Sequence, residues 1–217
     1  MRLLFHIAHS PFARRTRLAL AHKGVSVELR DVRAQSEHFT ESRGLSPLKT
    51  VPVLVEEDGR VIGDSTAICH YLDRAYPSAT PLWPADPGEA LRVFELTSLV
   101  DVALTGAVDY GVRLHALRTA DAWPAVKGEG LERIQRALDA VGQRVAALTG
   151  PTVCAGGWSA ADMWLVTAER WFSSLPERAE RVPAAAQVLA LGWRLPPELS
   201  RWALQHRDRP DVRALEH

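Results

Sequence analysis

The run "PSATPLWPADPG", from Pro77 to Gly88, carries four prolines in twelve residues and constrains the fold more than any other stretch. Proline fixes φ near −65° and removes a backbone donor, so neither a long helix nor a central strand passes through such a run. The texture of the chain differs on its two sides. Before it, "RLLFHIA" reads as a strand from about Arg2 to Ile7, and apolar or small residues at 12, 16, 19 and 20 give a helix that stops at Gly24. "VSVELRDV" alternates as a second strand, and the polar stretch "RAQSEHFTESRGLSPLK" has room for one short helix. "VPVLVEEDGRVIGDS" then reads as a hairpin, Val51 to Val55 and Arg60 to Ile62 around Asp58-Gly59, and a helix runs from near Asp64 to Pro77. After the proline run, strand-like alternation disappears. Helical patterns span about 88–117, 123–148 and 159–174, with shorter ones near 184–191 and 196–207. The expectation is an α/β domain over 1–77, a linker over 78–87 and an all-helical domain over 88–217.

Charge narrows the choice of partners. The 217 residues hold 26 basic and 26 acidic side chains. Such a balance advertises neither nucleic acid nor an anionic membrane surface. There is no apolar run of about 18 residues to span a bilayer, and the first residues lack the layout of a secretory signal, so a cytoplasmic protein is expected. The closing "LEH" resembles the remnant of an expression-vector tail. Cys69 and Cys154 form neither a disulfide framework nor a zinc pattern and read as small core residues. His6 and His9 are a close pair without further ligands in view, so no metal is expected.

Four short motifs carry chemical information. In "HSPFARRTRLAL", Ser10 precedes Pro11, and proline is favoured as the first residue inside a helix, which makes Ser10 the natural N-cap. Its hydroxyl would lie beside unpaired backbone N–H groups at the positive end of a helix dipole, a place suited to an anion. Taken alone, this stretch reads as a cap. Arg14, Arg15 and Arg17 crowd the same helix; Arg14 is a candidate to lend charge to its start, and a solvated face is expected for at least two of the three. "SPLKTVPVLV" places Pro52 at the start of a strand, where a trans proline on an edge is the ordinary reading. "GDSTAICHYLDRAYP" opens a helix with Asp64 and Ser65, either of which serves as a cap. "WSAADMWL" has Ser159 and Asp162 in capping-box spacing, with Trp158 placed to staple onto Met163, and reads as structural.

Together, in this order and at these separations, the four motifs and the ending "PPELSRWALQHRDRPDV" resemble the cytosolic glutathione transferases over nearly the whole length. The resemblance implies a thioredoxin-like N-terminal domain followed by a helical C-terminal one. The first motif is most like the omega class, whose members have a cysteine where this chain has Ser10. With Ser10 and Ala13 in the two redox positions, thiol–disulfide exchange there is closed. The resemblance instead implies that Ser10 is catalytic and holds the thiolate of glutathione, the cosubstrate, for attack on a small electrophile.

The remaining roles follow from the same likeness. Pro52 resembles the family's cis-proline, which turns the backbone of Val51 toward the cysteinyl part of glutathione. Ser65 would hold the γ-glutamyl carboxylate and Asp64 the ammonium, although Asp is a methylene shorter than the usual Glu. The glycyl carboxylate commonly meets a lysine where this chain has Thr50; Lys49 is the adjacent substitute, or else a solvated lysine. Phe12, Tyr110 and Leu114, with Trp123, Trp164 and Trp171 behind them, are candidates for the acceptor pocket, although helical spacing makes most such residues core. Two other functions stay open: a glutathione-dependent isomerase of the zeta kind, and a non-catalytic glutathione-binding or scaffold protein. A homodimer through the third and fourth helices is implied as well.

Overall fold

A computed structural model of the chain describes residues 1–33, 36–77 and 80–215. Parts of the polar stretch (34–35), of the proline run (78–79) and of the closing tail (216–217) lie outside the described residues. The N-terminal part is a four-stranded sheet of β1 (Leu3–His6), β2 (Glu28–Asp31), β3 (Val53–Val55) and β4 (Val61–Gly63), in the order β2-β1-β3-β4. β1 and β2 are parallel, joined over α1 (Pro11–His22), while β3 is antiparallel to both β1 and β4. Side chains alternate across a strand, so β1 feeds two cores. Leu4 joins Leu18 of α1, Leu54 of β3 and Ile68 of α3 (Ser65–Ala75) on one face. Phe5, with Val53, packs with Phe39 and Leu45 of α2 (Glu37–Leu45) on the other. α1 stops as expected, with Gly24 at φ +65° just beyond it.

The chain then becomes helical: α4 (Pro87–Val108), α5 (Trp123–Ala146), α6 (Ala160–Ser173), α7 (Leu175–Ala179), α8 (Pro183–Leu189), α9 (Pro197–Leu204) and α10 (Pro210–Arg213). The fold is thus a thioredoxin-like α/β part with an all-helical part. α6 is the central element, buried from Ala160 through Ala168 and packed on α1, α4 and α9. A helix buried on every side must be held at its start without help from water. Asp162 does this: its carboxylate accepts from the Ser159 N–H (2.8 Å), the Ser159 hydroxyl (2.6 Å) and the Val153 N–H (2.9 Å). Burial pushes the Asp162 carboxyl up, against the pull of these three donors. Trp158 contacts His206 and Arg209, pinning the C-terminal segment to this corner.

The proline run is tied down at its second half. Asp73 accepts from the backbone N–H groups of Leu82 (2.8 Å) and Trp83 (3.2 Å) and pairs with Lys23 at 2.6 Å, while Leu82 O accepts from Ala160 N at 2.8 Å. The largest departure from the sequence reading lies at the end of α4. The helix expected to continue to residue 117 ends at Val108 and opens into a π-helical turn, Asp109–Arg113, followed by a 3₁₀ turn, His115–Leu117. The Leu114 N–H bonds back to Asp109 O at 2.8 Å, five residues away. Among the described residues no helix is long and apolar enough to cross a membrane.

Candidate functional site

The site is built where α1 and α3 begin. Ser10 has extended backbone (φ −68°, ψ 124°), and Pro11 starts the helix behind it. Ser10 Oγ accepts from the Ala13 N–H at 3.3 Å, which leaves its own O–H to donate elsewhere. The preceding turn is braced by the Ser10 N–H to Ile7 O (2.9 Å) and by Arg14 Nε to Ala8 O (3.2 Å). The three arginines of α1 do not form a solvated face. Arg14 holds this turn, Arg17 donates to Ala214 O at 2.9 Å, and Arg15 is 2% exposed.

Arg15 is the principal residue that sequence reasoning missed. It lies on the same helical face as Phe12, Leu18 and Ala19, a spacing that points inward. Its guanidinium lies 4.1 Å from the Trp164 ring centroid and 4.9 Å from that of Phe12. Nε (2.9 Å) and Nη2 (2.6 Å) donate to Ser65 Oγ, and Nη1 pairs with Asp101 of α4. Asp101 is the one charge in the run "LTSLVDVALTGAV", and an isolated acid within an apolar helix was the available sign that a buried cation faces it.

Asp64, at φ +71°, caps α3 by accepting from the Thr66 (2.8 Å) and Ala67 (3.0 Å) N–H groups through one carboxylate oxygen, Oδ1. Ser65, 1% exposed, stands just inside the helix, its lone pairs turned to Arg15. Between the two helix starts the Val51–Pro52 peptide is cis, and Lys49 has φ +53°.

Two adjoining cavities collect these residues. One, of about 330 Å³, is lined by Ser10, His9, Phe12, Val51 and Lys49, with Trp171 and Arg178 opposite. The other, of about 710 Å³, is lined by Pro52, Asp64, Ser65 and Thr105. They share Phe12, Arg43, Lys49, Thr50, Val51, Val108 and Arg113 as common wall. Ser10, Lys49, Val51, Pro52, Asp64, Ser65 and Phe12 therefore stand around one continuous space.

Tyr110 and Leu114 line neither cavity. They line a third depression of about 390 Å³ with Asp101, Gly106 and Arg133, which borders the larger cavity at Thr105 and Asp109, and the Tyr110 ring lies so close over Gly130 that a Cβ there would be 2.5 Å from it. The cause is the π-helical turn, which reorients the side chains beyond Val108 and turns Arg113 rather than Leu114 to the cavity. Trp164 is buried beneath Arg15, while Trp171 does reach the cavity wall.

Burial lowers the His9 pKa, with Arg178 and Arg14 adding to the effect. His6 is buried and is likewise lowered, chiefly by burial. Both cysteines are buried; desolvation pushes the Cys69 thiol up to about 12 and raises that of Cys154. Among the described residues no group of three or more His, Cys, Asp or Glu side chains is placed to hold a metal ion.

Comparison with known proteins agrees with this architecture. The family model described as "Glutathione S-transferase, N-terminal domain" matches residues 4–81. Rat glutathione S-transferase omega-1 is 31% identical over 152 residues, 68% of this chain and 58% of that protein. Glutathione S-transferase Z2 of Arabidopsis thaliana is 37% identical over 99 residues, covering 45% of this chain and 44% of that one. The chain thus spans less than two thirds of these relatives. Among solved structures, a Methylobacillus flagellatus glutathione S-transferase with glutathione bound has a TM-score of 0.75 at 24% identity, covering 99% of this chain and 98% of that one. A Pseudomonas fluorescens family member with bound S-(propanoic acid)-glutathione reaches 0.72 at 25% identity, with 99% and 98% covered.

Proposed function

We propose that this chain, which belongs to the glutathione transferase family by its N-terminal domain and its overall fold, binds reduced glutathione and uses Ser10 to deliver the thiolate to a small electrophile. A free thiol of this kind has a pKa of about 8.5, so only a few per cent is ionised at neutral pH. The observation that carries the reading is the hydrogen bonding of Ser10. One of its two lone pairs accepts from the Ala13 N–H at the start of α1, and its O–H, with no acceptor among the described residues, is available to a sulfur anion in the cavity. The partial positive charge of the helix start acts on the same anion. A fall of about two pKa units corresponds to about 2.7 kcal/mol.

The rest of the tripeptide is read along the wall. Val51 offers main-chain groups beside the cysteinyl residue. Ser65, accepting from Arg15, donates its O–H to the γ-glutamyl carboxylate, and Arg15 supplies charge behind it. Asp64 Oδ2, not used in the cap, attracts the ammonium, and Lys49 faces the glycyl carboxylate. In the reaction a C–S bond forms while the leaving group departs with its bonding pair. The contribution of the protein is anion stabilisation and proximity, without a covalent enzyme intermediate.

The decisive experiment is an ultraviolet difference spectrum of the glutathione-saturated protein at pH 7, with turnover of an aromatic electrophile. A thiolate band that Ser10→Ala removes together with turnover supports the reading; no band in the wild type refutes it. We also propose a cytoplasmic homodimer pairing through α3 and α4. Leu91 (62% exposed) and Phe94 (47% exposed) are apolar and open beside a His70–Trp83 stack at 3.7 Å, and light scattering would return the mass.

A further inference from the structure

Arg178, on α7, takes no part in the chemistry above. It lines the same 330 Å³ cavity as Ser10, yet its Nε and Nη1 are buried and meet no hydrogen-bond partner among the described residues. Desolvation lowers its pKa, but a guanidinium keeps its proton across the working pH range, so a positive charge is held here without a counter-charge. Arg178 is half-buried, and a charge partly withdrawn from water is more stable with a partner.

The neighbours do not meet this need. No Asp or Glu lines this cavity among the described residues. Asp31, whose charge reaches His9, lies off the cavity wall and pairs with Arg33 at 2.9 Å. His9, its pKa lowered by burial and by Arg178, is neutral at pH 7. The other cations of the wall differ from Arg178 in being exposed to water. Arg113 is paired with Asp109 at 2.6 Å, Arg43 has its guanidinium 5.3 Å from the Phe39 ring centroid, and Lys49 is open to solvent. The same cavity wall carries the apolar side chains of Phe12, Phe39, Val108 and Trp171. A volume of 330 Å³ sits at the small end of ligand sites, which run roughly 300–1,000 Å³.

We propose that Arg178 receives a carboxylate on the second substrate, so that the electrophile is a planar, carboxylate-bearing molecule whose apolar body lies between Phe12 and Trp171 and whose reactive carbon faces the thiolate. This narrows the transferase reading and rests on it. The same guanidinium chemistry would suit the glycyl carboxylate of glutathione, so the test must separate the two sources.

The probes are 4-chloro-3,5-dinitrobenzoate and its neutral carboxamide. With either, the glutathione thiolate attacks the chlorine-bearing carbon, a C–S bond forms, and chloride leaves with the C–Cl pair. After division by the spontaneous rates, wild-type kcat/KM is expected to favour the benzoate about tenfold. Arg178→Gln should lose tenfold or more with the benzoate and threefold or less with the carboxamide, and Arg178→Lys should recover part of the difference. Retained carboxamide turnover reports that the variant is folded. Equal wild-type rates overturn the proposal, as does a rise in the glutathione KM that is the same with both electrophiles, which assigns Arg178 to glutathione instead. Should neither electrophile be turned over, the transferase reading fails, and equilibrium binding of unreactive 3,5-dinitrobenzoate against 3,5-dinitrobenzamide decides the anion site by itself. A tenfold preference lost in Arg178→Gln sustains it, and equal binding ends it.

Discussion

The two helix starts that face the cavity present the same group in different settings. At α1, Ser10 is half-buried and its oxygen is held by one long backbone hydrogen bond of 3.3 Å. At α3, Ser65 is buried and its oxygen takes two hydrogen bonds from Arg15, whose guanidinium is in turn paired with Asp101 and covered by Trp164. In both places the protein donates to the serine oxygen, once at Ser10 and twice at Ser65, and the O–H stays open to a ligand. The difference is stiffness. Ser65 is fixed by a charged network that spans α1, α3 and α4, which suits the carboxylate anchor proposed for it. Ser10 is held by a single long hydrogen bond, which in the proposed reading suits a group that must follow a sulfur whose charge changes during the reaction.

That contrast is sharpest where its supports are removed. Arg15→Leu should abolish measurable glutathione binding by calorimetry and destabilise the protein by about 3 kcal/mol in urea denaturation. It strands Ser65 and Asp101 together, and partial exposure of Asp101 keeps the cost at the low end for a broken buried pair. Ser10→Ala should reduce kcat about 100-fold with glutathione affinity changed less than threefold, and lower stability by about 1 kcal/mol through the lost cap. Ser65→Ala should do the reverse, raising the glutathione KM about tenfold with kcat within about twofold. If Ser10→Ala weakens binding and Ser65→Ala slows turnover, the distinction between anchor and reactive end is broken. Asp64→Asn keeps the cap and tolerates the positive φ, so it should raise the glutathione KM only about threefold without moving the melting temperature. The smallest effect belongs to the thiols. A raised pKa favours the neutral form, so with Cys69 at about 12 and Cys154 also raised, iodoacetamide at pH 8 should leave both mass and activity of the native protein unchanged.

The α/β part was legible because its signals are local. The apolar run over β1, the Ser10-Pro11 start of α1 and the Asp64 cap each depend on residues within a few positions of one another, as does the Ser159/Asp162 box of the helical part. These signals point to Ser10, Asp64 and Ser65, while Lys49, Val51, Pro52 and Phe12 come from the family resemblance; all seven line the two adjoining cavities. What was not legible depends on contacts across the sequence. Arg15 counts as polar in any pattern and became a core residue only because Asp101, 86 positions away, lies opposite it. Arg178 sits on a five-residue helix too short to leave a periodic trace. Tyr110 and Leu114 were misplaced because their assignment assumed a straight continuation of α4, and a π-helical turn has no reliable sequence signature.

The wide turn at Asp109–Arg113 also bears on how the pocket rim can change. The turn closes through the i→i+5 bond from the Leu114 N–H to Asp109 O, so the segment holds one residue more than an α-helix would need over the same rise. Deleting a single position there would remove the extra residue and let the turn close as regular α-helix, with the chain downstream keeping its place. Gly111 limits which position that is, because Val188 lies so close that a Cβ at 111 would meet its backbone at 2.8 Å. A one-codon loss in this segment would therefore exchange Arg113 for a different side chain at the mouth of the cavity while leaving both helix starts untouched.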